Sequence, residues 1–330
     1  MQTNTSLDAM NFSSILNVLP PSVVASLTFA CVAITFNIFV IAILLRLQIS
    51  GNVLNLLIMS LAMSDLFSSI SVIIGSSLSI IGSITTIFIY SKWAAMNIIC
   101  KLNSFLAVST SYSATLTLTI LAIERYRVIC FPMNIRREYR HYFIAIIGIW
   151  LFSFAVSSYM VISYQSIPFH PYLCYMSGSN YIGNNVWLIA SGVTCYLLPN
   201  VITIFCYVMI VLKLCRRKLP GDSVTKQSSY TAKRRKEIIS VASLLIITVL
   251  SAFSNCAYHL YLIITLIKIS DDVSILTSFY TDFKYHDITF LQISIFITIL
   301  QSGLDPILYN FVSSKFRSSV RKLLCSYLKH

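Results

Sequence analysis

The chain is dominated by long apolar segments separated by short polar ones. Seven segments of roughly 20 or more mostly apolar residues stand between charged or turn-forming positions, which is the length needed to cross a bilayer as a helix. Helices are required because lipid offers no hydrogen-bond partner to backbone groups. The sequence therefore predicts an all-α fold, a seven-transmembrane helix bundle. We number its helices the first to the seventh span, over residues 22–45, 52–80, 98–126, 143–164, 186–214, 238–267 and 288–311.

Composition narrows the class of protein. The chain is 57% hydrophobic and 11% charged, with a mean hydropathy of +0.79, which is too apolar for a soluble globular domain. The spans predict a membrane domain over residues 22–311, preceded by a short terminus at 1–21 and followed by a tail at 312–330. Little of the chain remains for a separate soluble domain.

The basic residues lie on one side of the predicted membrane. The net charge is +13, and 24 residues are Lys or Arg. One set of loops holds only four of these, Lys92, Lys101, Lys268 and Lys284. The other 20 lie on the alternate loops and in the tail, so the positive-inside bias predicts a multi-pass plasma-membrane protein with its N-terminus outside and its C-terminus in the cytosol. Short juxtamembrane basic clusters suit the anionic headgroups of the lipid bilayer and do not favour a nucleic-acid partner.

The extracellular terminus, residues 1–21, contains no Lys or Arg and no charge pattern of a signal peptide. We therefore expect the first span to act as an uncleaved anchor. Two glycosylation sequons begin at Asn4 and Asn11. Sequons are common by chance, but both fall on the side of the membrane where glycosylation occurs, so we expect at least one to carry a glycan.

The tail alternates basic and apolar residues at spacings of three and four between residues 315 and 327. This pattern predicts a short amphipathic eighth helix at the membrane surface. Cys325 stands at its apolar end and is a candidate palmitoylation site, with a free thiol as the alternative.

Two carboxylates lie inside predicted spans, Asp65 in the second and Asp305 in the seventh, where Pro306 follows and predicts a local distortion. Intramembrane charges are costly, so both are expected to face the bundle interior. If they are close together, a shared proton or a cation such as Na⁺ would separate their charges. An interhelical hydrogen-bond network without a cation is the alternative. No other cofactor and no metal site are indicated.

A set of residues recurs in a characteristic order along the predicted helices, namely Asn37, Leu61, Ala62, Asp65, Trp93, Cys100, Glu124, Arg125, Tyr126, Trp150, Cys174, Pro199, Tyr207, Asp305, Pro306, Tyr309 and Phe316. Each of these residues is weak evidence alone. In this order and on these helices, they make the chain resemble the rhodopsin-like (class A) G-protein-coupled receptors over nearly its whole length. The nine cysteines alone leave their pairing open, whereas the resemblance implies a disulfide between Cys100 and Cys174 on the outer side.

The resemblance implies a switch at the cytosolic end of the third span. Arg125 would pair with Glu124 and with Glu237 at the start of the sixth span, and ligand binding would favour an outward sixth span. Arg125 would then contact a heterotrimeric G-protein, and arrestin is a further expected partner. Tyr126, Tyr207, Asp305, Pro306 and Tyr309 complete this coupling site.

The chain also departs from the family pattern. The usual Trp and Pro of the sixth helix are replaced by Asn255 and Ala257, so how a ligand is coupled to the switch stays open. Ala114 stands where many members have a serine lining the Na⁺ site, which weakens the case for Na⁺ at Asp65.

The ligand class follows from residues that are present and from residues that are replaced. Ala107 occupies the place of the amine-binding Asp, and Ile299 that of the retinal-bearing Lys. The remaining lining is aromatic and polar, which favours an extracellular neuropeptide-type ligand over a lipid or other small molecule. The candidate pocket residues are Val108, Ser111, Tyr112, Tyr258, His259, Tyr261 and Gln292.

A membrane transporter is the alternative of another class, and it would require paired broken helices in two halves, which the sequence does not indicate. An enzyme would need a convergent nucleophile and base or metal ligands. The five histidines have no such spacing, so the sequence predicts a receptor without catalytic activity.

Overall fold

The computed structural model describes residues 21–46, 52–84, 93–132, 139–167, 170–176, 181–216, 224–271 and 286–312, together with Ser318. Three predicted modification sites lie outside these residues, namely Asn4, Asn11 and Cys325. The amphipathic eighth helix predicted over residues 315–327 also falls outside them, apart from Ser318, and stays a prediction.

The structure is nearly all helical. The first four spans and the last two each contain one long helix: Pro21–Arg46, Val53–Ile84, Trp93–Cys130, Tyr139–Ser157, Val224–Asp271 and His286–Val312. Six helices are long and apolar enough to cross a membrane, and the seventh span contributes a shorter apolar segment, Ile293–Tyr309. The predicted seven-helix architecture is therefore confirmed. Large apolar side chains such as Leu151 and Ile162 are exposed on the outside of the bundle, as a lipid-facing surface requires.

The fifth span is not a uniform α-helix. It consists of an α-helix Tyr181–Ser191, a π-helical turn Gly192–Leu197 and a second α-helix Leu198–Arg216. The π turn ends just before Pro199, which has no N–H to donate and disturbs the hydrogen bonding of the preceding turn. The sixth helix begins at Val224 and so extends well before residue 238, where its predicted apolar segment starts.

A small hairpin departs from the all-α prediction. After Ser157, a short helix Tyr159–Ser163 leads into strand β1, Tyr164–Ile167, which pairs antiparallel with β2, His170–Met176. Cys174 in β2 forms a disulfide with Cys100 of the third span, with a Cα–Cα distance of 5.7 Å, so the predicted disulfide is confirmed. The backbone N–H of Ser166 also donates to Asn97 Oδ1 at 3.0 Å. The hairpin is thus fixed to the outer end of the third span.

The apolar core divides into two clusters. The outer cluster packs the hairpin against the spans, and its buried members are Val108, Tyr112, Met160, Tyr164, Met176, Trp187, Leu188, Cys195 and Leu262. The larger inner cluster lies toward the opposite end of the bundle, which is predicted to be cytosolic and is called the cytosolic end below. It includes Leu57, Leu121, Tyr207, Leu244 and Tyr309. Along the third and sixth spans, the segments between the two clusters carry buried polar residues.

Candidate functional site: the cytosolic switch and the outer polar centre

The cytosolic end of the third span holds an adjacent ion pair. Arg125 Nε lies 3.4 Å from Glu124 Oε2, and the two side chains are 16% and 4% exposed. Tyr126 packs edge-on against Phe131 and Phe205, with ring centroids 5.6 and 6.2 Å apart. Phe205 belongs to the fifth span, so this tripeptide joins two helices at the membrane edge. The predicted pairing of Arg125 with Glu237 of the sixth helix stays a prediction.

Two tyrosines of the predicted switch are buried close to this end. Tyr207 of the fifth span is 3% exposed and Tyr309 of the seventh is fully buried. Both belong to the inner cluster, together with Leu244 of the sixth span. Movement of the sixth span therefore has to disturb the packing of both tyrosines.

The structure brings the two intramembrane carboxylates together. Ser302 Oγ donates to Asp65 Oδ1 at 3.0 Å, and Gln301 Nε2 lies 3.5 Å from Asp305 Oδ2. The Tyr309 hydroxyl lies 3.4 Å from Asp65 Oδ2 and 3.5 Å from Asp305 Oδ2. Because it has one proton, it can donate to only one carboxylate at a time. The arrangement therefore fits a shared proton, a cation between the two carboxylates, or a hydrogen-bond network without a cation.

Na⁺ at Asp65 stays a prediction. The oxygen atoms of Asp65, Asp305 and Ser302 are of the type that hard cations prefer. Asp305 Oδ1 is buried, and no hydrogen-bond partner for it occurs in the described part of the chain. Ala114 adds no oxygen ligand on the third span.

The outer cluster contains three of the predicted pocket residues. Val108 and Tyr112 of the third span are buried in it, and Tyr258 of the sixth span packs against it. The hairpin residues Tyr164 and Met176 pack in the same cluster, so the hairpin covers these positions. Two further predicted pocket residues, Tyr261 and Gln292, lie on the sixth and seventh helices, but their side chains are outside the described part of the structure.

His259 lies at the centre of an aromatic group. Its ring stacks on Tyr196 of the π turn, with centroids 5.1 Å apart and planes at 19°. Tyr112 lies 6.5 Å away by the same measure, and Tyr258 contacts the ring edge-on. A Cβ on Gly192 would stand 3.5 Å from His259 Cδ2, so this glycine of the π turn also lies against the ring.

The hydrogen bonding of His259 defines its tautomer. Nδ1 lies 2.8 Å from the carbonyl oxygen of Asn255, which can only accept, so Nδ1 must carry the proton. In the neutral ring, Nε2 is then an acceptor. This atom is buried and finds no hydrogen-bond partner among the described residues. Among the described residues, Nε2 of His259 is therefore a buried acceptor without a donor.

Ser111 makes a contact that the sequence analysis did not foresee. We expected it to face a ligand, but its Oγ donates to Asn255 Oδ1 of the sixth span. Asn255 Nδ2 in turn lies 3.2 Å from Thr115 Oγ1. Sequence reasoning missed Thr115, although Ser111 and Thr115 are four residues apart and so share one helix face. Asn255 had been noted only as a departure from a pattern.

Comparison with known proteins gives a consistent result. The family model described as 7 transmembrane receptor (rhodopsin family) matches residues 36–309. Galanin receptor 2b of Danio rerio is 26% identical over 334 residues, covering 98% of this chain and 81% of that protein. Neuropeptide Y receptor type 1 of Xenopus laevis is 24% identical over 86% of this chain and 75% of its own length. Pinopsin of Columba livia is 24% identical over 88% of this chain and 76% of its own.

Proposed function

We propose that this chain, which belongs to the rhodopsin family of seven-transmembrane receptors, binds an extracellular peptide and activates heterotrimeric G-proteins. It acts in the plasma membrane with its N-terminus outside, as the distribution of basic residues favours. Its role is that of a receptor and not of an enzyme. Arrestin is a further partner in the same proposal.

The observation that carries the proposal is the switch at the cytosolic end. The Glu124–Arg125 pair lies at the end of the third span, and the buried Tyr207 and Tyr309 share the inner cluster with Leu244 of the sixth span. Outward movement would free Arg125 for a G-protein and open the inner cluster. A ligand shifts this equilibrium only by the difference between its affinities for the two states, so the ligand must bind the outward state more tightly.

The peptide assignment rests on the outer region and on two relatives whose names are those of peptide receptors. The described lining is neutral and largely aromatic, which suits an aromatic or amide-bearing peptide end. A hydrogen-bond donor of the peptide would bind the free Nε2 of His259. Pinopsin is also a relative, but Ile299, which is 1% exposed, stands in the place of the retinal-bearing lysine.

A lipid is the second candidate ligand. The outer cluster contains Val108, Met160, Met176, Leu188 and Leu262, which would suit an apolar chain with a hydroxyl or amide headgroup. Both ligand classes could supply the donor that Nε2 accepts, so the ligand screen has to contain both.

The test is a screen of cells that express the full chain, with a peptide library and a lipid library as probes and cyclic AMP and calcium as readouts. A peptide response is expected, and a response to lipids alone would overturn the peptide assignment. Arg125→Ala should abolish the response to any hit without loss of surface protein. Arg127→Ala removes an exposed arginine of the same helix and is the matched control. A full response from Arg125→Ala would refute the proposed switch.

A further inference from the structure

Asn255 is the hub of a buried polar bridge between the third and sixth spans. Its Oδ1 accepts from Ser111 Oγ, and its Nδ2 is shared between Thr115 Oγ1 at 3.2 Å and the carbonyl oxygen of Ser251 at 2.9 Å. Asn255 is 7% exposed and Thr115 is 5% exposed. Both ends of the amide are therefore used, and both reach across to one face of the third span.

This bridge lies between the two apolar clusters. On the third span, Tyr112 belongs to the outer cluster and Leu118 to the inner one, and Ser111 and Thr115 stand at the boundary. Separation of the third and sixth spans at this level would leave a buried amide without its hydrogen bonds. Such a loss has a free-energy cost, because the surroundings offer little water to replace the missing partners.

We propose that Asn255, Ser111 and Thr115 form a polar latch that holds the sixth span against the third in the inactive state. The latch takes the place of the aromatic residue that the family pattern leads one to expect at position 255. Activation then requires breaking two interhelical hydrogen bonds. This inference rests on the proposed receptor function and specifies how that function is restrained.

The latch is connected directly to the ligand region. The proton on Nδ1 of His259 is donated to the backbone carbonyl of Asn255, the same residue whose side chain forms the latch. Tyr196 of the π turn stacks on one face of that ring, and Gly192 lies near its Cδ2 edge. A ligand that draws His259 toward itself therefore pulls on the backbone of Asn255. One hydrogen bond, from His259 Nδ1 to the carbonyl oxygen of Asn255, thus joins the proposed ligand region to the latch residue.

The neighbouring residue shows which interface should open. Ser254 Oγ donates to the carbonyl oxygen of Ser294 in the seventh span at 3.2 Å, and Ser294 Oγ donates to the carbonyl oxygen of Ser254 at 2.9 Å. Ser254 also bonds to Thr298. The sixth span is thus fixed to the seventh independently of the latch. Loss of the latch should separate the sixth span from the third while its contact with the seventh persists.

The test measures the position of the sixth span without ligand and without G-protein. Spin-labelled unnatural amino acids replace Arg140 of the fourth span and Lys236 of the sixth, both exposed, in the full chain in lipid nanodiscs. Asn255→Leu keeps the side-chain size and removes the bridge. It should increase the population with a long distance between the labels, relative to the population with a short one, about five- to tenfold. This is the change expected from the loss of two interhelical hydrogen bonds of ordinary strength. Asn200→Leu is the matched control, because Asn200 bonds to Tyr196 of its own helix.

Variants on the third span keep the test decisive if Asn255→Leu does not fold. Ser111→Ala and Thr115→Val each remove one partner and should each raise the ratio about two- to threefold, and Ser111→Ala should add nothing in the Asn255→Leu background. Unchanged distances in folded variants would overturn the latch. The distance measurement contains no G-protein, so it tests the latch separately from signalling. If the variants change the label distances as expected but the chain gives no signal in cells, the proposed function is refuted and the latch is not.

Discussion

The two halves of this bundle are held together by different chemistry. The cytosolic half contains charged groups, namely the Glu124–Arg125 pair and the carboxylates Asp65 and Asp305. The outer half is held by neutral hydrogen bonds, aromatic stacking and one disulfide, around His259 and Asn255. Apart from the disulfide, the outer half is therefore held by neutral interactions of a kind that a ligand could replace. The charged groups of the cytosolic half lie away from the proposed ligand region.

The largest effect is expected from the disulfide between Cys100 and Cys174 in the outer half, the only disulfide among the described residues. Cys100→Ser should lower the free energy of unfolding by about 4 kcal/mol, because the bridge joins residues separated by 74 positions. Surface expression and thermal unfolding in detergent would measure this. Cys31→Ser, at an exposed free cysteine of the first span, is the control and should change neither. Equal stability of the two variants would show that the hairpin does not depend on its disulfide.

The next largest effect is expected in the cytosolic half. Asp65→Ala should cost about 2 kcal/mol of stability, since it leaves the hydroxyls of Ser302 and Tyr309 buried without their acceptor. Asp65→Asn keeps an acceptor oxygen and should cost less than about 1 kcal/mol. Thermal unfolding in nanodiscs distinguishes the two. If Asp65→Asn proves as damaging as Asp65→Ala, the negative charge itself is required, as it would be for a bound Na⁺.

A smaller effect is expected on ligand affinity, from a change at His259 in the outer half. His259→Phe keeps the ring stacked on Tyr196 but removes the acceptor, so we expect the affinity for the identified ligand to fall about tenfold, or roughly 1.4 kcal/mol. Radioligand binding would measure it. His141→Phe, at the exposed start of the fourth span, is the matched control. An unchanged affinity would mean that the ligand does not use Nε2.

The smallest effect concerns a hydrogen-bonded seam that crosses from the fourth span to the second and third. Trp150 Nε1 donates to Ser60 Oγ at 3.1 Å, and Ser60 Oγ lies 3.2 Å from Thr117 Oγ1. Trp150→Phe should lose a hydrogen bond of about 0.6 kcal/mol, the average for a side-chain hydrogen bond in a membrane protein, in addition to the packing of the larger ring. A double-mutant cycle with Ser60→Ala isolates this bond from the loss of ring size. A coupling energy near zero would show that the bond from Trp150 to Ser60 does not stabilise the fold.

The sequence predicted the helices well, for a physical reason. Apolar length determines a membrane span, and an ionisable residue such as Asp65 or Asp305 has few places to lie within one. The outer half was harder. The strands at residues 164–167 and 170–176 are short and carry no clear alternation. The stacking of Tyr196 on His259 and the bond from Ser111 to Asn255 are contacts between helices, and no local pattern encodes them.

The π turn also determines how this protein can change over evolutionary time. Each helical residue advances the face of a helix by about 100°, so deleting one residue from Gly192–Leu197 would rotate the outer part of the fifth span and leave Pro199 and Tyr207 in place. A different set of side chains would then face His259. Deleting the exposed Thr194 and repeating the ligand screen would test this, since unchanged ligand preference would refute it. The loss of a single codon could thus alter which ligands are recognised and leave the residues of the cytosolic end unchanged.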